Sequence, residues 1–188
     1  MLPEDLRREI QEGILRLLER DQFVVAIAPT GSGKSRIAVH RRDLLNCFGK
    51  AVHVLPMRSL VEELAADLAC VYGDLVGYQA GIRDIAVAKK GERCELLDPL
   101  EQPTADAEVL RVVRDPYMAH PYTVTTYDSY SLSLLLSSIP EIHYSKFGHP
   151  DLSFALLSAG LTVFDEVHLL APDDVGGYSD DSLKAWAF

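Results

Sequence analysis

Apolar positions in the first twenty residues recur at helical spacing. Leu6, Ile10, Ile14, Leu17 and Leu18 fall among charged residues between Pro3 and Arg20, which predicts an amphipathic helix. Pro3, followed by Glu4 and Asp5, suits its N-terminus. The pattern then changes: Phe23 to Ala28 is a short, continuous apolar run, partly β-branched and without alternation, as in a buried parallel strand. Ile37, Ala38, Leu44 and Leu45 predict a second helix to about Cys47, broken at Phe48, Gly49 and Lys50. Ala51 to Leu55 reads as another buried strand, ended by Pro56. Leu60, Val61, Leu64, Ala65 and Leu68 give a third helix. Asp74 to Gln79, between Gly73 and Gly81, gives a further strand. Strands alternating with helices through short joints predict an α/β fold, a mostly parallel sheet with helices on both faces.

From about 82 to 120 no period survives for long. Pro99, Pro103 and Pro116 interrupt the segment, which reads as a surface insertion with one short helix near Asp106–Val113. Tyr122 to Thr125 resumes as a strand, and a helix begins at Thr126, turning Tyr130, Leu134 and Leu135 inward. Residues 139–149 are loop-like. Pro150 opens a helix bearing Phe154 and Leu157, and Gly160 stops it. Leu161 to Phe164 is the last clear strand, and it runs directly into Asp165, Glu166, Val167 and His168.

Composition fits one globular domain: 188 residues, 48% hydrophobic and 24% charged. No apolar run approaches the ~20 residues of a membrane-spanning helix, and no signal-peptide pattern opens the chain. Cys47, Cys70 and Cys94 are odd in number and widely spaced, which reads as reduced thiols in a cytoplasmic protein. The net charge of −10 is unevenly spread. Residues 1–58 carry ten Lys/Arg against seven Asp/Glu, and the remainder eight against twenty-one. Such an acidic balance opposes nucleic-acid binding through the overall field, so any such contact must be local.

Two stretches carry candidate chemistry. After the first apolar run come Ala28, Pro29, Thr30, Gly31, Ser32, Gly33, Lys34 and Ser35, a phosphate-binding loop pattern with Ala28 at the usual first glycine. Gly31 and Gly33 permit a sharp turn, so that backbone N–H groups from Thr30 to Ser35 converge on phosphate oxygens at a helix start. Lys34 would reach the β- and γ-phosphates of a nucleotide such as ATP, and the Ser35 hydroxyl would bind Mg²⁺. The second stretch is the strand ending in adjacent acids. Asp165 is placed to hold Mg²⁺, and Glu166 to orient or deprotonate the attacking water. His168, two residues on, would link the nucleotide site to a neighbouring surface.

Together these motifs resemble a superfamily 2 helicase with a DEVH form of its second motif, in a RecA-like P-loop NTPase domain. Pro56, Met57, Arg58, Ser59 and Leu60 resemble the Pro-x-Arg-x-Leu segment that touches the nucleic-acid backbone. Thr125 and Thr126 match a Thr-Thr pair of similar role, and Gln11 sits where such enzymes read adenine. Gly77 to Gly81, the long insertion, Val124 to Ser129 and Phe164 to Leu170 are most similar to the CRISPR-associated helicase of type I systems. That resemblance implies ATP-driven movement on single-stranded DNA in antiviral defence, after recruitment by an RNA-guided surveillance complex. No His in the chain is followed by Asp, so an HD nuclease is expected from a separate subunit. The segment from Asp181 to Phe188 looks like a helix cut short. The resemblance therefore implies a first RecA-like domain, incomplete at its C-terminal end, with the second RecA-like domain and its arginine fingers outside these 188 residues. Such fingers are worth roughly 10³–10⁵ in rate, and the chain alone is expected to hydrolyse ATP weakly or not at all. Other readings stay open: another DEVH-type RNA or repair helicase, a small P-loop kinase, or a non-catalytic nucleotide- or partner-binding fragment.

Overall fold

The computed structural model describes residues 3–21, 23–27, 33–35, 37–40, 44–80, 84–91, 93–97, 108–135 and 150–167. It falls into two units, Met1–Arg42 and Asp43–Phe188.

In the first unit, α1 (Glu4–Leu18) starts at Pro3, whose fixed φ suits a helix entry, and carries Glu4 and Asp5 in its first turn. A short α2 (Ile37–His40) follows the phosphate-loop segment. The strand expected at Phe23–Ala28 is not found in its described part, residues 23–27. Phe23 is 82% exposed and Ile27 95%, and neither lies in a strand. An apolar, β-branched run makes a strand only where a neighbouring ladder receives it, and the described residues of this unit offer none.

The second unit begins with α3 (Leu44–Phe48), closed by Gly49 at φ 71°. It contains a seven-stranded sheet, ordered β4-β3-β5-β2-β6-β1-β7. The strands are β1 (Ala51–Leu55), β2 (Val76–Gln79), β3 (Ile85–Lys90), β4 (Arg93–Leu96), β5 (Glu108–Arg114), β6 (Tyr122–Thr126) and β7 (Leu161–Phe164). Pairings from β5 through β2, β6 and β1 to β7 are parallel, and those of β3 with β4 and β5 antiparallel. The α/β class with a mostly parallel sheet is therefore present.

Helices cover both faces of this sheet. On one lies α4 (Arg58–Tyr72), burying Val61, Leu64, Ala65, Leu68 and Ala69, with the Tyr72 ring tilted against that of Tyr122 of β6, centroids 5.5 Å apart. On the other lie α5 (Tyr127–Leu134) and α6 (Pro150–Leu157). There Val52, Val54, Met118, Tyr127, Tyr130 and Leu157 form a buried cluster, with Leu134 and Phe164 packed against it. Alternation along β1 explains the division: Val52 and Val54 point one way, His53 the other.

The described residues of the region expected to be an irregular insertion include three strands, β3, β4 and β5. The short helix expected near Asp106–Val113 is instead β5 over residues 108–114, where Val109, Leu110, Val112 and Val113 mimic helical spacing. Its ladder partners, on β2 and β3, lie 19 or more residues away, and such non-local pairing leaves no mark in a local period. The return from β5 to β6 is tied down by Asp115, whose carboxylate accepts from the Ala119 and His120 amides at 2.8 Å and from the Thr123 hydroxyl at 3.2 Å. Only glycine fits beneath it, since a Cβ at Gly77 would stand 2.7 Å from Asp115 and His120. Lys50, its ammonium pushed below the usual lysine range by burial against the pull of Asp115, donates to the carbonyls of Met118 and His120.

The cysteines also differ from expectation. Cys70 of α4 and Cys94 of β4 are joined in a disulfide with their Cα atoms 6.0 Å apart, and Cys47 is free and exposed. The 24-residue separation conceals that β4 folds back onto α4. Closing a loop of that length is worth about 3 kcal/mol in the chain-entropy account. Cys94→Ser, or reduction of the wild-type chain, should lower the unfolding free energy by about that amount in urea titrations. Identical midpoints with and without reductant would show that the bond adds nothing.

Candidate functional site

Parallel pairing brings the carboxyl ends of β2, β6, β1 and β7 to one edge of the sheet. Thr125 lies opposite Gln79, Leu55 opposite Thr126, and Phe164 opposite Val54. The residues just beyond these ends, Arg58, Thr126, Asp165 and Glu166, therefore share that edge, where open α/β sheets place their ligand sites.

Asp165 is fixed from several directions. Its amide donates to the Val54 carbonyl at 3.0 Å, extending the β1–β7 ladder by one bond. Its own carbonyl accepts from the Tyr127 hydroxyl. Tyr127 in turn stacks on Phe164, with centroids 6.3 Å apart. The side chain is 8% exposed, and Oδ1 accepts from the Glu166 amide at 2.9 Å. Oδ2 faces Nε2 of His53 at 3.8 Å, beyond hydrogen-bond length. Glu166 stands at φ 54°, a left-handed conformation that costs a non-glycine residue about 1–2 kcal/mol. Strain of this kind gathers at functional sites, where the surroundings hold it in place.

In the first unit the structure brings Gln11 and the phosphate-loop segment together. The Gln11 amide Nε2 donates to the Gly33 carbonyl at 3.0 Å. Gly33 stands at φ 80°, and a Cβ there would come within 3.1 Å of that nitrogen. Gln11 thus tethers the turn, with one amide proton and its Oε1 left for other partners. Lys34 and Ser35 are half-buried beside it. Thr30, Gly31, Ser32 and His168 lie outside the described residues.

The three expected nucleic-acid contacts differ in exposure. Arg58 is exposed at the start of α4 and is held by Glu62, with Nε donating to Oε1 at 2.7 Å. That bond, and then the charge of Glu62, hold its guanidinium above the usual range. Thr125 is fully buried and its hydroxyl donates to the Gln79 carbonyl at 2.9 Å. The Thr126 hydroxyl caps α5, accepting from the Ser129 amide at 3.3 Å, an interaction worth ~1 kcal/mol in typical helices.

Sequence reasoning missed His53 and Tyr127. A lone histidine within an apolar strand gives no signal of its own, and Tyr127 reads only as part of a helix start. Their relation to Asp165 depends on strand register.

Taken separately, each unit offers an oxygen donor: the Asp165 carboxylate in one, the Ser35 hydroxyl in the other. Such hard donors suit Mg²⁺, which is held by one or two carboxylates together with substrate phosphates. Among the described residues no group of three or more His, Cys, Asp or Glu is gathered to hold a metal by itself. Comparison with family models, with curated proteins and with solved structures found no match to this chain.

Replacing Glu166 with glycine removes the left-handed strain. Glu166→Gly should leave the urea midpoint unchanged or raise it, by an amount equivalent to about 1 kcal/mol. A fall of that size would show that the carboxylate stabilises the turn more than its backbone strains it.

Proposed function

We propose that this chain is the ATP-binding first RecA-like domain of an ATP-dependent DNA helicase or translocase of the DEVH type. The observation that carries the reading is the pair Asp165–Glu166: one acid buried and immobilised at the carboxyl end of a parallel strand, the next held in a strained turn beside it. The phosphate-loop sequence ending in Lys34 and Ser35 supplies the other half of the argument. The pairing of the two halves rests on the sequence motifs.

In this reading Lys34 binds the β- and γ-phosphates, backbone amides from Thr30 to Ser35 surround them, and Ser35 and Asp165 hold Mg²⁺. When bound, the ion neutralises charge on the phosphates and orients them for attack. Glu166 positions or deprotonates the attacking water. Gln11 has Oε1 to accept from the adenine amine while its amide stays on Gly33. His168 transmits the state of the nucleotide site to DNA. Arg58, the exposed member of the three candidates, meets a DNA phosphate, either leaving Glu62 or bonding both. Thr125 and Thr126 support that contact by fixing the ends of β6 and the start of α5. Turnover at a useful rate calls for arginine fingers from a second RecA-like domain. Service in type I CRISPR antiviral defence in the cytoplasm, with an RNA-guided surveillance complex and a separate HD nuclease as partners, is the setting that the resemblance suggests. Among the described residues no helix is long and apolar enough to cross a membrane.

Titration with a fluorescent ATP analogue tests the reading. The wild-type chain should bind it, Lys34→Ala should weaken binding at least tenfold, and Mg²⁺ should enhance binding in the wild type alone. Absence of binding by a folded wild-type chain contradicts the proposal.

The DNA contact has a separate test. Arg58→Ala should weaken single-stranded DNA binding similarly for all sequences and lower the slope of log affinity against log salt by ~1. Preference for RNA over DNA would favour an RNA helicase of another DEVH branch.

A further inference from the structure

The imidazole of His53 is buried in the middle of β1, only 2% exposed, on the face of the sheet that α4 covers. Its two nitrogens face two different groups. Nδ1 lies 3.4 Å from the Tyr122 hydroxyl, and Nε2 lies 3.8 Å from Oδ2 of Asp165. Nε2 has no hydrogen-bond partner, an expensive state for a buried polar atom. Tyr122 is fully buried beneath Tyr72, and burial pushes its phenol far above the usual tyrosine range. It therefore keeps its proton and can donate it to Nδ1. An imidazole that accepts at Nδ1 carries its hydrogen on Nε2. In that tautomer the N–H sits on the nitrogen 3.8 Å from the carboxylate.

We propose that His53 is a positioning residue for Asp165: held in one tautomer by Tyr122, it presents Nε2–H to Oδ2 and sets the angle at which the carboxylate meets Mg²⁺. The inference rests on the reading of Asp165 as a metal ligand and adds a residue that the helicase motifs do not include. A shift of less than about 1 Å would bring Nε2 and Oδ2, 3.8 Å apart, into bonding range. Oδ1 is already occupied by the Glu166 amide. With that shift the carboxylate would be held at Oδ1 by the Glu166 amide and at Oδ2 by His53. Outer partners of this kind orient metal-binding groups and typically change metal affinity 10–100-fold.

The decisive comparison is between His53→Gln and His53→Met, side chains of nearly equal shape that differ in the terminal amide. The readout is the Mg²⁺ concentration that half-saturates the enhancement of fluorescent ATP binding to the full chain, with metal-free binding in EDTA and thermal melting as controls. His53→Met should raise that concentration about tenfold, with EDTA binding unchanged, and His53→Gln should recover most of the loss. His53→Phe, which fills the ring's volume without a donor, should behave like His53→Met and stands in if that variant melts early. Equal behaviour of the Gln and Met variants, shifted or not, overturns the proposal. Asp165→Ala separates the two levels. If it abolishes the Mg²⁺ response while His53→Met and His53→Phe leave it intact, the metal reading survives and this inference falls. If Asp165→Ala leaves the response intact, both fall.

Discussion

Strand β1 is hydrogen-bonded along both edges, to β6 on one side and β7 on the other. All five of its residues are buried. Its register cannot slip by one residue without turning Val52 and Val54 out of the core cluster and His53 into it. That lock determines where β7 ends. The last ladder bond runs from the Asp165 amide to the Val54 carbonyl, so the acid is placed by the backbone of a central strand before its own side chain makes any contact. Tyr127 then holds the Asp165 carbonyl. Tyr127 itself is placed by the Thr126 cap at the end of β6, the other neighbour of β1. Local strain is the consequence at Glu166, about 1–2 kcal/mol, a cost a well-buried sheet of this kind readily offsets.

The same sheet explains why the candidate nucleic-acid residues behave differently. Arg58 begins the helix that leaves β1, so it stands at the carboxyl edge with its charge in solvent, and Glu62 one turn on steadies it. Thr125 is still within β6 and bonds to its neighbour strand. In the proposed DNA complex its effect would pass through the backbone it fixes. A chain with a net charge of −10 attracts polyanions poorly as a whole, which puts weight on a few local cations such as Arg58.

Much of this was legible in the sequence. Residues 51–55, 122–125 and 161–164 are legible as short strands between turn signals, and 51–55 form a continuous apolar run about His53 because both faces of that strand are covered. The helices at 4–18 and 58–72 showed their period because one side of each meets solvent. The acids at 165–166 were visible because a polar pair interrupts an apolar run. What was hidden depended on contacts between distant segments. Residues 108–114 have a period that fits a helix, and only the strands on either side of them decide the matter. Cys70 and Cys94 give no hint of proximity until β4 is folded onto α4. Residues 23–27 show the reverse: a strong strand pattern whose described residues lack a ladder to join. His53 was hidden for the same reason as β5, since its importance comes from the register of β7.

The central proposal, which rests on the sequence motifs, is that the phosphate-loop segment and the acid pair serve one Mg²⁺–nucleotide. The most direct measurement is paramagnetic broadening of amide NMR signals by Mn²⁺ in the presence of ATP, with the diamagnetic Mg²⁺ complex as reference. The account predicts that the amides of Ser35 and Glu166 broaden together, and that neither does so with Mn²⁺ at the same low concentration without nucleotide. Broadening confined to one of the two, or spread over the acidic surface regardless of ATP, would contradict it.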